Sequence, residues 1–234
     1  MVVEQPSLST TSLRRSRFLH RAELLRAWSM SVLLVVIIGG IFVVPVIVPR
    51  GNLGEIINDV ALTLILLSGA VAIAEPKVLH FVTIALCIVA VVLRWLEWLV
   101  PSSLSMSLRE GSGLLALILV LSIVATRVFA SAGTVSADRI MGAVVLYLLL
   151  GIAWAAAYEV VALLHTANAF AGGDLHAKGP ARWLYFSFVT LTTVGYGDIT
   201  PVAPAARSLA VLEALLGQLY PAIILARLVS LHAK

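Results

Sequence analysis

The chain has 234 residues, of which 61% are hydrophobic and only 12% are charged, with a formal net charge of +4. Soluble globular proteins are close to half apolar and a quarter charged, so this composition excludes an ordinary soluble protein. It predicts an all-α membrane protein. The basic residues gather near the N-terminus and near the ends of apolar segments, as membrane topology requires, so nucleic acid is not an expected partner.

Residues 1–26 form a basic N-terminal segment, and an apolar run of spanning length follows it without a clear cleavage site. We interpret the segment as a positive anchor on the cytoplasmic side of a retained first helix. An alternative is that its amphipathic part, residues 13–21, lies on anionic lipids of the inner leaflet. The arginines concerned are Arg14, Arg15, Arg17, Arg21 and Arg26.

Hydropathy predicts six transmembrane helices, which place both termini on one side of the membrane. The charge contrast around the first helix puts that side in the cytoplasm. Residues 27–133 are expected to form a four-helix transmembrane domain, and residues 134–234 a second domain. The predicted spans are residues 28–48, 56–74, 78–100, 114–132, 140–165 and 206–231.

The fourth predicted span carries a single arginine, Arg127, near its inner end. One elementary charge contributes only about 2.3 kcal/mol per 100 mV of membrane potential, which is too little for steep voltage sensing. We therefore expect weak voltage dependence or none. Asp59 and Glu97, in the second and third spans, are interpreted as ordinary charges near helix ends, with relics of sensor countercharges as the alternative.

The stretch between the fifth and sixth spans has a different character. Residues 166–180 are rich in glycine and polar residues and predict an exposed loop. Residues 181–192 are apolar and aromatic but too short to cross a bilayer. Because irregular backbone at membrane depth is tolerated where it lines a cavity, we expect a re-entrant helix followed by extended chain.

The sequence Thr193–Val194–Gly195–Tyr196–Gly197, followed by Asp198, comes directly after this re-entrant helix. With the helices on either side, it resembles the pore module of the tetrameric potassium-channel superfamily, over about the last hundred residues. The resemblance implies a six-segment, prokaryotic-type channel without a charged voltage sensor. The pore domain would consist of helix 140–165, pore helix 181–192, filter 193–198 and inner helix 206–231.

The filter motif also suggests how a cation would be held. Backbone carbonyls of Thr193, Val194, Gly195 and Tyr196 would replace the hydration shell of K⁺, with the Thr193 hydroxyl as a further ligand. Gly195 and Gly197 would supply the positive φ angles that such a ladder needs. The side chains of Val194 and Tyr196 are expected to point away from the axis.

Four neighbouring residues are predicted to support the filter, namely Thr192, Asp198, Tyr185 and Phe186. By the resemblance, Tyr185 and Phe186 would form an aromatic cuff around the filter tyrosine, and the Tyr185 phenol would hydrogen-bond Asp198. The alternative for both rings is a plain interfacial position. Some relatives carry a glutamate on the pore helix behind the filter, but Val189 stands at that position here.

The inner helix contains Gly217 and, four residues later, Pro221, which removes a helical hydrogen bond. We interpret this pair as a gating hinge, with a static kink as the alternative. Glu213 and Glu159 are carboxylates within predicted spans, where ionisable groups mark functional sites by default. We expect both to be paired structurally behind the filter.

No catalytic constellation or phosphate-binding loop is present, so an enzyme is not expected and no cofactor is implied. The predicted function is potassium-selective conduction through a homotetramer in a prokaryotic plasma membrane, with both termini cytoplasmic. The alternatives are a cation channel of relaxed selectivity and a non-conducting regulatory subunit.

Overall fold

The computed structural model describes residues 31–43, 52–71, 78–96, 98–100, 103–130, 137–164, 169–173 and 180–232. The basic N-terminal segment and its predicted contact with lipid lie outside these residues.

The described part of the chain is mostly helical, because leucine, alanine and other apolar residues dominate its segments and helices satisfy the backbone without water. The first helix ends in a π-helical turn at Gly39–Val43. In chain order the elements are α1 (Ser31–Val43), α2 (Asn52–Val71), α3 (Val78–Leu96), α4 (Ser103–Ala130), α5 (Ala137–Leu164), β1 (Phe170–Gly172), α6 (Pro180–Leu191), β2 (Ile199–Pro201) and α7 (Pro204–His232).

Three of the described helices are long and apolar enough to cross a membrane, which requires about 20 residues. They contain Met106–Thr126 in α4, Ile140–Leu164 in α5 and Pro204–Arg227 in α7. This is the architecture of a multi-pass membrane protein. The apolar parts of α1, α2 and α3 are shorter, so the total of six spans stays a prediction.

Helix α4 begins at Ser103, about eleven residues before the predicted start of the fourth span. The helix therefore contains Arg109 as well as Arg127, the single arginine of the predicted span. Because Arg109 and Glu110 are charged, hydropathy predicted the start of this helix too late in the chain. The structure pairs them with each other at 2.7 Å, which allows the helix to include them.

A short antiparallel sheet was not predicted from the sequence. Strand β1 precedes α6 and strand β2 follows the filter motif, with Phe170 opposite Pro201 and Gly172 opposite Ile199. Two further hydrogen bonds to the Ala169 carbonyl extend this contact. The sheet ties the chain that leaves the filter to the loop that enters α6.

Two clusters of buried apolar side chains hold the helices together. The larger cluster lies between helices α1 to α5. The smaller cluster surrounds α6 and is mainly aromatic, with the rings of Tyr158 and Phe186 4.8 Å apart and those of Phe170 and Trp183 4.7 Å apart. This aromatic packing fixes α6, and therefore the start of the filter motif, against α5 and the sheet.

Candidate functional site

Helix α6 ends at Leu191, one residue before its predicted end, and the chain then turns sharply back. The amides of Val194 and Gly195 both donate to the Val189 carbonyl, at 3.0 and 3.2 Å. The Thr193 amide donates to the Thr190 carbonyl at 2.9 Å. These bonds fix the first residues of the filter motif on the end of the helix.

The backbone of the filter motif alternates in conformation. Thr193, Gly195 and Gly197 have φ angles of +58°, +58° and +78°, and Thr193 is the one non-glycine residue with positive φ in the described part of the chain. Alternating left- and right-handed conformations turn successive amides to one side of the chain and the carbonyls to the other. This alternation is the conformation that the predicted row of carbonyl oxygens requires, and the row itself stays a prediction.

Glycine is required at positions 195 and 197 by the backbone conformation and not by a lack of space for a side chain. A Cβ atom built on Gly195 or Gly197 meets no other atom within 4 Å. Their positive φ angles, however, are ones that L side chains rarely adopt. Thr193 adopts such an angle despite its branched Cβ, at a cost of about 1–3 kcal/mol, so its surroundings must hold it there.

The hydroxyl groups of the two threonines have different partners. Thr192 donates to the Phe188 carbonyl at 2.6 Å and so is bound to α6. The Thr193 hydroxyl accepts a hydrogen bond from the Gln218 side chain of α7 at 2.8 Å. Sequence reasoning did not identify Gln218, although a carboxamide in an apolar membrane helix was a visible signal.

The side chains of Val194 and Tyr196 are 52% and 71% exposed in the single chain. Phe186, by contrast, is buried against Tyr158 and Phe170 of its own chain. Tyr185 is half-exposed. The predicted cuff of Tyr185 and Phe186 around the filter tyrosine stays a prediction.

Asp198 ends the filter motif and lies next to the α6 helix. A hydrogen bond to its carboxylate, followed by desolvation and its negative charge, raises the pKa of the Tyr185 phenol. As a support of the filter, the expected hydrogen bond between Tyr185 and Asp198 stays a prediction. Val189, at the position where some relatives carry a glutamate, contributes its carbonyl to the turn.

Glu213 is fully buried where α7 faces α5 and α6. Its carboxylate accepts hydrogen bonds of 2.5 Å from the Tyr158 hydroxyl and from the Ser187 hydroxyl. Ser187 also lies 2.8 Å from the Gly151 carbonyl. The predicted structural pairing of Glu213 is confirmed, and its two hydroxyl partners are what the sequence did not reveal.

We expect Glu213→Leu to destabilise the protein by about 2–3 kcal/mol, because it leaves the buried Tyr158 hydroxyl without an acceptor. Glu213→Gln should cost only about 1 kcal/mol, since its amide can still accept from Tyr158 and donate to Ser187. Thermal unfolding of the purified variants in detergent measures both. Adding Tyr158→Phe should recover part of the loss in the leucine variant; equal losses for leucine and glutamine would contradict this account.

Gly217 lies where α7 crosses the end of α6. A Cβ atom at this position would be 1.9 Å from the Leu191 carbonyl oxygen, so only glycine permits the contact. Helix α7 continues without interruption through Gly217 and Pro221. The structure thus gives Gly217 a packing role that the sequence did not suggest, and the hinge at Gly217 and Pro221 stays a prediction.

A second polar cluster, the buried ion cluster, joins α2, α3 and α4. Arg94 bonds the Asp59 carboxylate at 2.6 Å and lies 3.7 Å from Glu110, which also pairs with Arg109. The Trp98 indole donates to Asp59 at 3.1 Å. Asp59 is only 2% exposed, so its interpretation as a helix-end charge was wrong.

The buried ion cluster borders a cavity of about 60 Å³ that lies between helices α2 to α4 on one side and helices α5 and α6 on the other. Glu159 of α5 and Leu184 of α6 line the same cavity. Glu159 interacts electrostatically with Glu110, Arg109 and Arg94. It therefore belongs to the ion cluster, and the expectation that it pairs behind the filter was wrong.

Comparison with known proteins gives one family match and matches to individual proteins. The ion channel family matches residues 143–234. Protein LctB of Geobacillus stearothermophilus is 54% identical over 46 residues, which cover 20% of this chain and 34% of that protein. The two pore potassium channel c of Oryza sativa subsp. japonica is 42% identical over 66 residues, covering 26% of this chain and 14% of that protein.

These segments span about a third or less of the relatives' own length. The family match, residues 143–234, covers most of α5 together with α6, the filter motif and α7, the elements that form the site described above. The family consists of ion channels and not of enzymes. Residues 143–234 of this multi-pass membrane protein match the ion channel family.

Proposed function

We propose that the protein conducts potassium ions passively and selectively through a pore built by four copies of the chain. The observation that carries the proposal is the alternating backbone of Thr193, Gly195 and Gly197. Such a row of carbonyl oxygens is what a dehydrated K⁺ ion requires. The ligands would be the carbonyls of residues 193–196 and the Thr193 hydroxyl.

We propose four copies because one strand cannot surround an ion. A single chain offers carbonyls on one side only, whereas a filter surrounds the ion with four such strands. The exposed side chains of Val194 and Tyr196 leave room for neighbouring chains. The exposed apolar residues of α7 are available for the same assembly, among them Val211, Leu215, Leu219 and Ile223.

The rest of the proposal concerns the setting. We place the protein in the plasma membrane of a prokaryote, with both termini in the cytoplasm and the filter opening outwards. Arg109, the second arginine of α4, is paired with Glu110 at 2.7 Å and is not a free gating charge. Weak or absent voltage dependence therefore remains the expectation. Beyond the lipid bilayer, anionic lipids at the N-terminal segment are the one further partner considered.

Gly195→Ala is the variant that tests conduction most simply. It adds a methyl group to open space but opposes a φ of +58°, so the carbonyl row should be distorted while packing is unchanged. We expect purified wild-type protein in liposomes to release K⁺ and retain Na⁺, and the variant to lose at least about nine-tenths of the K⁺ flux.

Gly111→Ala is the matched control, because Gly111 also has no atom within 4 Å of an added Cβ but has no positive φ. It should leave the flux unchanged. Equal flux of K⁺ and Na⁺ in the wild type would instead support the channel of relaxed selectivity. No flux from correctly assembled protein would support the non-conducting subunit.

A further inference from the structure

Gln218 reaches the inner end of the filter strand from helix α7. Its side-chain nitrogen lies 2.8 Å from the Thr193 hydroxyl. The preceding residue, Gly217, has its backbone against the Leu191 carbonyl, closer than any side chain would allow. Because this contact fixes α7 beside the end of α6, the Gln218 backbone is placed next to the filter strand, and its side chain, exposed in the single chain, reaches the Thr193 hydroxyl from there.

The neighbouring threonines show why this hydrogen bond matters. Thr190 and Thr192 each donate their hydroxyl to the carbonyl four residues earlier, at 2.8 and 2.6 Å. The corresponding carbonyl for Thr193 is that of Val189, which already accepts the amides of Val194 and Gly195. Thr193 is thus held by a different partner, and that partner comes from the inner helix.

The chemistry of a hydroxyl group makes this arrangement useful. A threonine hydroxyl has one hydrogen and two lone pairs. If a donor from Gln218 occupies one lone pair, the rotation of the hydroxyl is restricted and the second lone pair remains for a cation. A carboxamide within an apolar membrane helix is itself costly, which favours a functional role over a passive one.

We propose that Gln218 is a positioning residue that orients the Thr193 hydroxyl toward the innermost cation site of the filter. In a tetramer the four carboxamides would form a neutral polar ring directly below the filter. The inference rests on the proposed potassium channel function and adds to it a residue outside the filter motif that determines how ions enter from the inner side.

The test is the K⁺ concentration that gives half-maximal single-channel conductance, measured separately for the inner and the outer face. Gln218→Met keeps the length and flexibility of the side chain but removes the donor. We expect the inner half-saturating concentration to rise about tenfold, the effect of losing one hydrogen bond. The outer half-saturating concentration and the K⁺ preference over Na⁺ should not change.

A double-mutant cycle with Thr193→Val shows whether Gln218 acts through the hydroxyl. Each single substitution should raise the inner half-saturating K⁺ concentration. The double variant should raise it no further than the single variant with the larger effect. Tyr220→Phe is the matched control, since it removes a 2.7 Å hydrogen bond from the same helix to the Ala143 carbonyl, away from the filter. It should leave both half-saturating concentrations unchanged.

Additive effects in the cycle, or an unchanged inner half-saturating concentration in Gln218→Met, would overturn the proposal. If the methionine variant does not assemble, Gln218→Leu is measured in the same way. Failure of the inference differs from failure of the proposed function. In the first case the wild type conducts K⁺ selectively and the Gln218 variants behave like it, whereas in the second the wild type itself does not.

Discussion

Gly217→Ala is expected to abolish the conducting pore. The added Cβ would lie 1.9 Å from the Leu191 carbonyl oxygen and 2.8 Å from its carbon, both backbone atoms that cannot rotate away. Helix α7 must therefore move from the end of α6, and the bond between Gln218 and Thr193 is lost with it. We expect a loss of about 3 kcal/mol per chain, the upper end of the usual cost of overpacking.

Pro221→Ala separates this packing effect from a hinge. Pro221 lies four residues further along the same helix and is exposed, so its replacement should leave assembly and selectivity intact. A hinge predicts that Pro221→Ala changes the open probability in single-channel records; a static kink predicts no change. If Gly217→Ala assembles and conducts like the wild type, the close contact with Leu191 is not essential and the packing account is wrong.

Arg94→Met is expected to cause the largest loss of stability among the first four helices. It removes the 2.6 Å partner of Asp59 and one of the two cationic partners of Glu110. Breaking a buried ion pair by removing one partner costs about 3–5 kcal/mol. Arg109, which lies 3.9 Å from Asp59 and 2.7 Å from Glu110, then compensates the two buried carboxylates only in part. Thermal unfolding in detergent should show a clear decrease in midpoint temperature relative to the wild type.

Two further variants make this test specific. Adding Asp59→Asn to Arg94→Met should recover at least half of the loss, since the amide can still accept from Trp98 and no longer carries a charge. Arg207→Met removes an exposed arginine that bonds the Pro201 carbonyl, and should cost less than about 1 kcal/mol. Equal losses for Arg94 and Arg207 would contradict the ion-pair account.

The pore elements were predictable from sequence because their signals are local. Both ends of helix α6 were predicted to within one residue. A short aromatic helix followed by two glycines is compatible with few other local structures. The positive φ angles at Gly195 and Gly197 were expected from the residue type. The positive φ at Thr193 was not, because nothing local favours it in a branched residue.

The contacts between distant segments were not predictable in the same way. Asp59 and Arg94 are 35 residues apart, and the hydroxyl partners of Glu213 lie 26 and 55 residues away from it. Hydropathy treats each such charge as a boundary of a span, which is why α4 was predicted to start after Arg109 and Glu110. Only the packing of helices shows that opposite charges neutralise one another there.

Gly217 and Gln218 show the same limit at the site itself. A glycine and a carboxamide in an inner helix are visible in the sequence, but their meaning depends on where the helix crosses the end of α6. From the sequence, Gly217 was predicted to be part of a flexible hinge, and no role was predicted for Gln218. The structure assigns both to contact with the end of the pore helix and the first residue of the filter.

The most direct test of potassium selectivity is the reversal potential of single channels between K⁺ on one side of a bilayer and Na⁺ on the other. Purified wild-type protein is expected to give a reversal potential that follows the K⁺ gradient, with no measurable inward or outward Na⁺ current. A reversal potential near zero in these conditions would show that K⁺ and Na⁺ permeate equally and would contradict the proposed filter.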